Sequence, residues 1–286
     1  RFRQSAFLRQ PMVAAVGGRS PPLIPPLAAF AFFWSHVALF HTLPPLLRSG
    51  WRSNLYAIPL TVLSLSCLAF PSLFRGTLLL FWVVVNLSFL LARGSVSNHI
   101  LMELCMCAAV ITSIVASAIG TAREGQEAKT QYYLGRCLRK QLGALYIISA
   151  IHKMNTGFFD PQKSCSSQII AITTIQLLPK SLVKFAIPGQ LTYTAPLMGL
   201  LIEIVMGLGL LSTRSDVLRI TTVIAQAFHV MLALPLPPSS FYPFSALCLL
   251  AFIPIHAEAF SKALQNHWRE AVCIFALMCP LMYYWG

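Results

Sequence analysis

Few ionisable side chains interrupt the apolar stretches of this 286-residue chain, and those few are the candidates for chemistry. Glu203 stands in the run Ala195–Leu211, with no other charge between Lys184 and Arg214. A carboxyl so placed either pairs with a neighbouring helix, takes up a proton because burial disfavours its charged form, or serves a ligand or a proton. His229 lies in Ala225-Gln226-Ala227-Phe228-His229-Val230-Met231, three residues from Gln226 and on the same helical face. It is a hydrogen-bonded packing residue or a ligand group. Asn98-His99 opens another apolar run, with Glu103 four residues on and facing the same way. Lys153 follows Tyr146-Ile147-Ile148-Ser149-Ala150-Ile151-His152 and precedes Met154-Asn155, Phe158, Phe159 and Asp160. Position and charge alone make it a lysine snorkelling from a helix end. His36, His41, His99, His229 and His256 all fall in or near apolar runs, so a porphyrin-type pigment is one ligand that neutral imidazoles could hold. The cysteines read as small buried apolar residues: no CxxC pair or zinc-type Cys/His spacing occurs, and no metal site is expected.

The elements that must position these groups are set by composition. Apolar residues make up 57% of the chain and charged residues 10%, with a mean hydropathy of +0.71. Soluble domains carry about 25% charged residues. The expected fold class is therefore all-α: a polytopic integral membrane protein. Crossing helices need about 20 largely apolar residues. Apolar windows with few charges place nine of them at roughly 25–47, 54–74, 76–92, 99–119, 134–152, 192–212, 217–234, 241–257 and 270–285. The break between 217–234 and 241–257 comes from Pro235, Pro237, Pro238, Ser239 and Ser240. A further apolar stretch at 166–178 is expected to be re-entrant or interfacial.

The charge balance is 21 Lys+Arg against 8 Asp+Glu, net +13. Nucleic-acid binding would need a solvated basic face, whereas these charges sit singly or in small groups between apolar runs. With 166–178 not crossing, Lys and Arg divide 14 to 7 with the majority on the N-terminal side; with it crossing, 12 to 9. The first division suits the positive-inside rule better. It puts the N-terminus on the matrix, stromal or cytosolic side and Lys153 in the less basic compartment. Residues 1–22 hold four Arg, two Ser, three Pro and no acid, the composition of an organelle-targeting remnant or a basic arm. Residues 23–286 form one multi-helix transmembrane unit.

The pattern Tyr146…Ala150-Ile151-His152-Lys153-Met154-Asn155…Phe158 resembles the signature of the horizontally transferred transmembrane (HTTM) domain, which also forms the membrane half of vitamin K-dependent gamma-glutamyl carboxylase. Asn98-His99 upstream, Glu203 in a Leu-rich run downstream and Phe228-His229-Val230-Met231 after it agree in order, over roughly residues 30–255. The resemblance implies nine transmembrane helices and a lumen-facing lysine. It implies that Lys153 matches the lysine deprotonating the reduced quinone, that His99 matches a histidine of the same site, and that Glu203 stands where the family commonly carries an acid. A lysine serves as base only when neutral, and an apolar pocket favours that form.

The carboxylase carries a sizeable lumenal region for its protein substrate, whereas this sequence ends at Gly286 directly after an apolar stretch. Protein gamma-carboxylation is therefore not expected. Three readings follow. The first is an accessory or structural subunit of a larger organellar membrane complex, in an inner or thylakoid membrane rather than endoplasmic reticulum, meeting other subunits through residues 1–22. The second is a quinol- or lipid-binding enzyme with Lys153 as base and His99 as helper, and with Asn98, Glu203 and His229 lining the ligand. The third is a pigment-binding subunit. A transporter acting through Glu203 would be expected to show Gly/Pro-broken helices in matched halves, and these are not evident.

Overall fold

The computed structural model describes residues 26–53, 57–70, 74–91, 98–119, 126–160, 162–177, 179–181, 183, 189–233, 242–267, 270, 271 and 273. These residues are helical and contain no strand: α1 (Pro26–Ser53), α2 (Ala57–Ala69), α3 (Phe74–Leu91), α4 (Asn98–Ala118), α5 (Gln126–Lys153), the short α6 (Thr156–Phe159), α7 (Cys165–Leu177), α8 (Gly189–Leu211), α9 (Ser215–Ala233), α10 (Tyr242–Leu250), a 3-10 turn (Ile253–His256) and α11 (Ala257–Asn266). The all-α expectation is met among the described residues. Residues 1–22, the connection 235–240 and nearly all of the expected crossing 270–285 lie outside them.

Two described helical segments are long and apolar enough to cross a membrane, Tyr193–Leu211 and Ser215–Ala233, each of 19 residues. Shorter apolar helical stretches run over Phe30–Leu39, Ala57–Cys67, Gly76–Leu87 and Met102–Ala118. The polarity of α9 is inverted relative to a water-facing helix. Ile220, Val223, Ile224, Val230 and Met231 are exposed, while Thr221, Thr222, Ala225 and His229 are buried. On α8, Leu197, Met198, Leu201, Val205 and Leu208 likewise face outward, and Glu203 faces inward. Several hydroxyls within the helices bond to their own backbone: Ser35 donates to the Ala31 carbonyl at 2.7 Å, Ser64 to Leu60 at 2.9 Å and Ser113 to Ala109 at 2.6 Å, whereas buried Thr61 Oγ1 has no such partner. Such back-bonding is what a helix needs where no water is at hand.

Consecutive helices pack as neighbours from α1 through α5, then α5 packs on α8, α8 on α9 and α9 on α10. The far end of the chain returns to the start, because α10, the 3-10 turn and α11 all pack on α1. One core joins these elements. Trp34 and Phe81 meet edge to face at 4.6 Å between centroids, and Leu134, Leu138, Leu142, Met206 and Leu210 are fully buried around them. Polar ties set the register of α4 against α5: Ser117 and Thr130 hydroxyls are 2.5 Å apart, and Gln141 Nε2 donates to the Cys105 carbonyl at 3.0 Å. The pair is antiparallel.

Several boundaries differ from the apolar windows. Helix α5 starts at Gln126 rather than 134, because a helix can run past the hydrocarbon wherever its polar residues find water. The expected crossing 241–257 is divided: α10 ends at Leu250, and the chain tightens to i→i−3 bonds from Phe252 to Leu249 (3.0 Å) and from Ile255 to Phe252 (3.1 Å). Pro254 has no N–H with which to continue the α pattern. Its carbonyl instead accepts from Gln131 Nε2 at 3.1 Å, fastening the turn to α5. The 166–178 stretch is α7, whose 13 residues rise about 20 Å, short of the roughly 30 Å hydrocarbon layer. It packs along α8.

The α5–α8 contact is set by two glycines. A Cβ on Gly207 would lie 2.7 Å from Ile147 Cδ1 and 3.1 Å from the Gly143 carbonyl oxygen. A Cβ on Gly143 would lie 3.2 Å from the Gly207 carbonyl oxygen. Small residues at a crossing let backbones approach, as in membrane helix pairs. Gly207→Leu is expected to force the helices apart at a cost of about 1–3 kcal/mol. A lowered thermal midpoint in detergent, with Gly76→Leu unchanged as the control in open space, checks this.

Candidate functional site

At its C-terminal end α5 presents Tyr146, Ala150 and Lys153 on one face, spaced i, i+4, i+7 and turned toward α8. The chain then reverses at Asn155. Its Oδ1 accepts the Phe158 N–H at 2.9 Å, capping α6, and its Nδ2 donates to the His152 carbonyl at 2.8 Å. One asparagine thus closes the end of α5 and opens the next turn. It also swings Phe158 back to pack with Ala150 and Leu200. The Phe158 ring centroid lies 5.6 Å from Lys153 Nζ, within cation–π range.

Lys153 and Glu203, fifty residues apart, form an ion pair between α5 and α8 through Nζ and Oε1. The pair is unequally exposed: the lysine side chain is 25% accessible and the glutamate side chain 9%. Glu203 Oε2 is buried and has no hydrogen-bond partner. The arrangement therefore offers one ammonium at the edge of the bundle, one carboxylate oxygen committed to it, and one acceptor still open inside.

Deeper in the bundle is a second polar group. Tyr146 Oη and His229 Nε2 are hydrogen-bonded at 2.5 Å, with their rings stacked at 5.8 Å and 20°. His229 Nδ1 lies 3.5 Å from Ser245 Oγ on α10, and Phe228 and Phe244 meet the imidazole edge to face. His229 is 1% exposed and Tyr146 3%. Its imidazole thus joins α5, α9 and α10, and both ring nitrogens face hydroxyls. A porphyrin metal at His229 would have to displace one of those hydroxyls, so the ring fits a packing role better than a ligand role. Gln226, which shares its face, is only partly buried.

Asn98 and His99 begin α4, and the antiparallel register brings their backbone to the Lys153 end of α5. Their side chains, like that of His41, lie outside the described residues. Among the described residues no three His, Cys, Asp or Glu side chains converge as a metal-holding group. His36 is in α1 and His256 ends the 3-10 turn, on different parts of the bundle from His229.

Beyond Lys153 an open concavity of about 530 Å³ is lined by Met154, Asn155, Thr156, Phe159 and Asp160. Asp160 Oδ1 accepts the Gln162 N–H at 3.0 Å, and its Oδ2 is 3.4 Å from Lys163 Nζ. The Gln162 N–H, aided by Lys163, holds the Asp160 carboxyl below the usual carboxylate range. Asp160 is thus an anion near neutral pH, already balanced by its own lysine.

The structure therefore joins Lys153 to Glu203 and sets His229 apart from them, against Tyr146. Tyr146, Ser245 and Phe158 were not singled out from sequence as site residues. Tyr146 could have been, since it lies two turns before Lys153 on the same face. Ser245 gives no such signal, because its role depends on how α10 is docked. Comparison with protein-family models, curated proteins and solved structures finds no match to this chain.

Glu203→Gln keeps the shape of the side chain while leaving the Lys153 ammonium without its counter-charge. Stability is expected to fall by about 1.5–3 kcal/mol. The double change Lys153→Met with Glu203→Leu, which removes both charges, should recover most of that loss. Thermal unfolding of the three proteins in one detergent makes the comparison; equal midpoints throughout would show the pair to be energetically idle.

Proposed function

We propose that this chain is a polytopic integral membrane protein of HTTM type, with nine crossings, that takes a lipid-soluble, hydroxyl-bearing molecule at the Lys153 end of α5. One observation carries the reading: the Lys153–Glu203 ion pair bridges α8, whose outward face is apolar, to the C-terminal half of α5, where Ala144, Ile148 and Ile151 face outward. Ionisable side chains within a bilayer are costly and usually serve an ion, a proton or a ligand. Packing alone would be met as well by an apolar pair of similar volume. The N-terminal side is then the positive one, by the 14-to-7 division of basic residues, and the membrane is organellar.

A quinol fits the residues present. It would supply an acidic hydroxyl on an apolar ring. Lys153, its side chain a quarter exposed, is the residue whose Nζ would meet such a hydroxyl and, as the free amine, hold its proton. Glu203 Oε1 orients Nζ and steadies the ammonium once protonated. The Phe158 ring lies over one side of Nζ, 5.6 Å from it at the centroid. Met154 and Phe159, at the adjoining concavity, offer apolar contact to a ring. By the resemblance, His99 and Asn98 would complete this end of the site.

The second reading, an accessory subunit of a larger complex, is favoured by the apolar faces of α8 and α9. Only 44% and 22% of their span windows are buried within the chain itself, leaving broad faces for lipid or for neighbouring subunits. Purification in mild detergent separates the readings: stoichiometric recovery with other membrane proteins supports a subunit role, and a particle containing one protein species removes it. An absorbance spectrum of the same material tests for pigment.

The ligand site is tested with duroquinol and the full chain in nanodiscs. Lys153→Met is expected to weaken binding about tenfold or more, the loss of one charge-assisted hydrogen bond. Lys153→Arg keeps the ion pair but not the ability to become neutral. It should bind while losing any pH dependence that the lysine confers. Unchanged binding in both variants would refute the assignment.

A further inference from the structure

The outward face of α5 carries an ordered sequence of side chains that the Lys153 site does not use. Tyr132, Arg136, Lys140, Ala144, Ile148 and Ile151 are all exposed. Their spacing of four, with a final three, makes them a single stripe along one side of the helix. The first three are an aromatic and two cations, and the last three are apolar. Arg136 Nη1 donates to Tyr132 Oη at 2.8 Å, and the guanidinium carbon lies 5.5 Å from the ring centroid, so the two form one preorganised unit. Arg139 lies beside this stripe, partly buried, with its Nε buried and without a hydrogen-bond partner.

Topology adds more positive charge at the same end. Helix α8 runs antiparallel to α5 and terminates at Leu211, opposite Gly143. The chain turns there through Ser212–Arg214 into α9, so exposed Arg214 and Arg219 lie at the basic end of α5. Asp216 is the acid in that turn. Within α5 no acid occurs from Ala128 to Lys153, while Lys129, Arg136, Arg139 and Lys140 do. Arg136 and Lys153 are seventeen residues apart, or about 26 Å along the axis, close to one hydrocarbon thickness. The cationic unit and the Lys153 site therefore mark opposite faces of the same layer.

We infer that this stripe is a binding site for an anionic phospholipid, its phosphate held by Arg136 and Lys140 with Arg139 alongside, and its acyl chain laid along Ala144, Ile148 and Ile151. The inference rests on the membrane reading above but not on the quinol. Charge complementarity selects the headgroup: cations that no acid pairs with among the described residues favour a phosphodiester with no compensating ammonium. A zwitterionic headgroup brings its own cation against Arg136 and Lys140 and gains less. The apolar continuation distinguishes a lipid from free phosphate, which would use the cations and leave the three apolar positions idle.

The test uses the full chain purified in detergent. Thermal midpoints are followed while phosphatidylglycerol, phosphatidylcholine or inorganic phosphate is added. Phosphatidylglycerol should raise the midpoint, and the other two should not. In the double variant Arg136→Gln, Lys140→Gln the affinity for phosphatidylglycerol should be about 30-fold weaker, two cations at roughly fivefold each. Lys163→Gln at the opposite end should bind as the unaltered protein does. Stabilisation by phosphate alone, equal stabilisation by both lipids, or undiminished binding in the double variant would each overturn the inference. Failure of the membrane reading is seen separately, as a chain that stays in the aqueous phase without detergent and does not enter liposomes.

Discussion

The close approach of α5 and α8 governs everything else in this molecule. Gly143 and Gly207 leave each helix without a side chain where the other passes, so the two backbones can come nearly into contact. That approach lets a lysine at the end of one helix reach a glutamate in the middle of the other. With bulkier residues the axes would stand farther apart, and Lys153 would extend to solvent as a lone cation. Crossing distance thus converts two separately costly charges into one pair. Gly209 does similar service where α8 meets α9, since a Cβ there would fall on the Thr221 hydroxyl.

Around this contact α8 and α9 turn apolar side chains outward and their polar ones inward. Hydroxyls such as those of Ser35, Ser64 and Ser113 return to their own helix backbones, His229 finds Tyr146 and Ser245, and Glu203 finds Lys153, while Leu, Ile, Val and Met point outward on α8 and α9. Water would penalise that arrangement, because large exposed apolar faces are rarely left uncovered. In lipid the same arrangement is favourable, since the outside needs no polar groups and the inside must satisfy its own. The two polar centres have separate duties. The Tyr146–His229–Ser245 set is sealed and ties three helices together; the Lys153–Glu203 pair lies at the rim beside an open concavity and retains an unmet acceptor.

Helix α5 joins these features along one axis. Its inner face carries Leu134, Leu138, Leu142, Tyr146 and Ala150 into the core. Its two ends hold cations of different character. Arg136 and Lys140 are exposed, whereas Lys153 is half withdrawn and neutralised by Glu203. The helix ends at Lys153, and Asn155, two residues on, closes it by donating to the His152 carbonyl.

Composition and apolar windows were enough to read an all-helical chain and most of its helix positions, because 3.6-residue periodicity and apolar length are local properties. The interest of Glu203, His229 and Lys153 was also legible, since a polar group inside an apolar run stands out whatever surrounds it. Their pairing was not. Lys153 and Glu203 are fifty residues apart, and nothing in either segment states that two glycines bring them together. His229 could have belonged to the same site, but the angle at which α9 docks turns it to Tyr146 instead. The division of 241–257 was half visible in Pro254, though not the Gln131 side chain that donates to its carbonyl. Local chemistry resides in residue type and spacing; partnership depends on interhelical distance and rotation, which only the assembled core specifies.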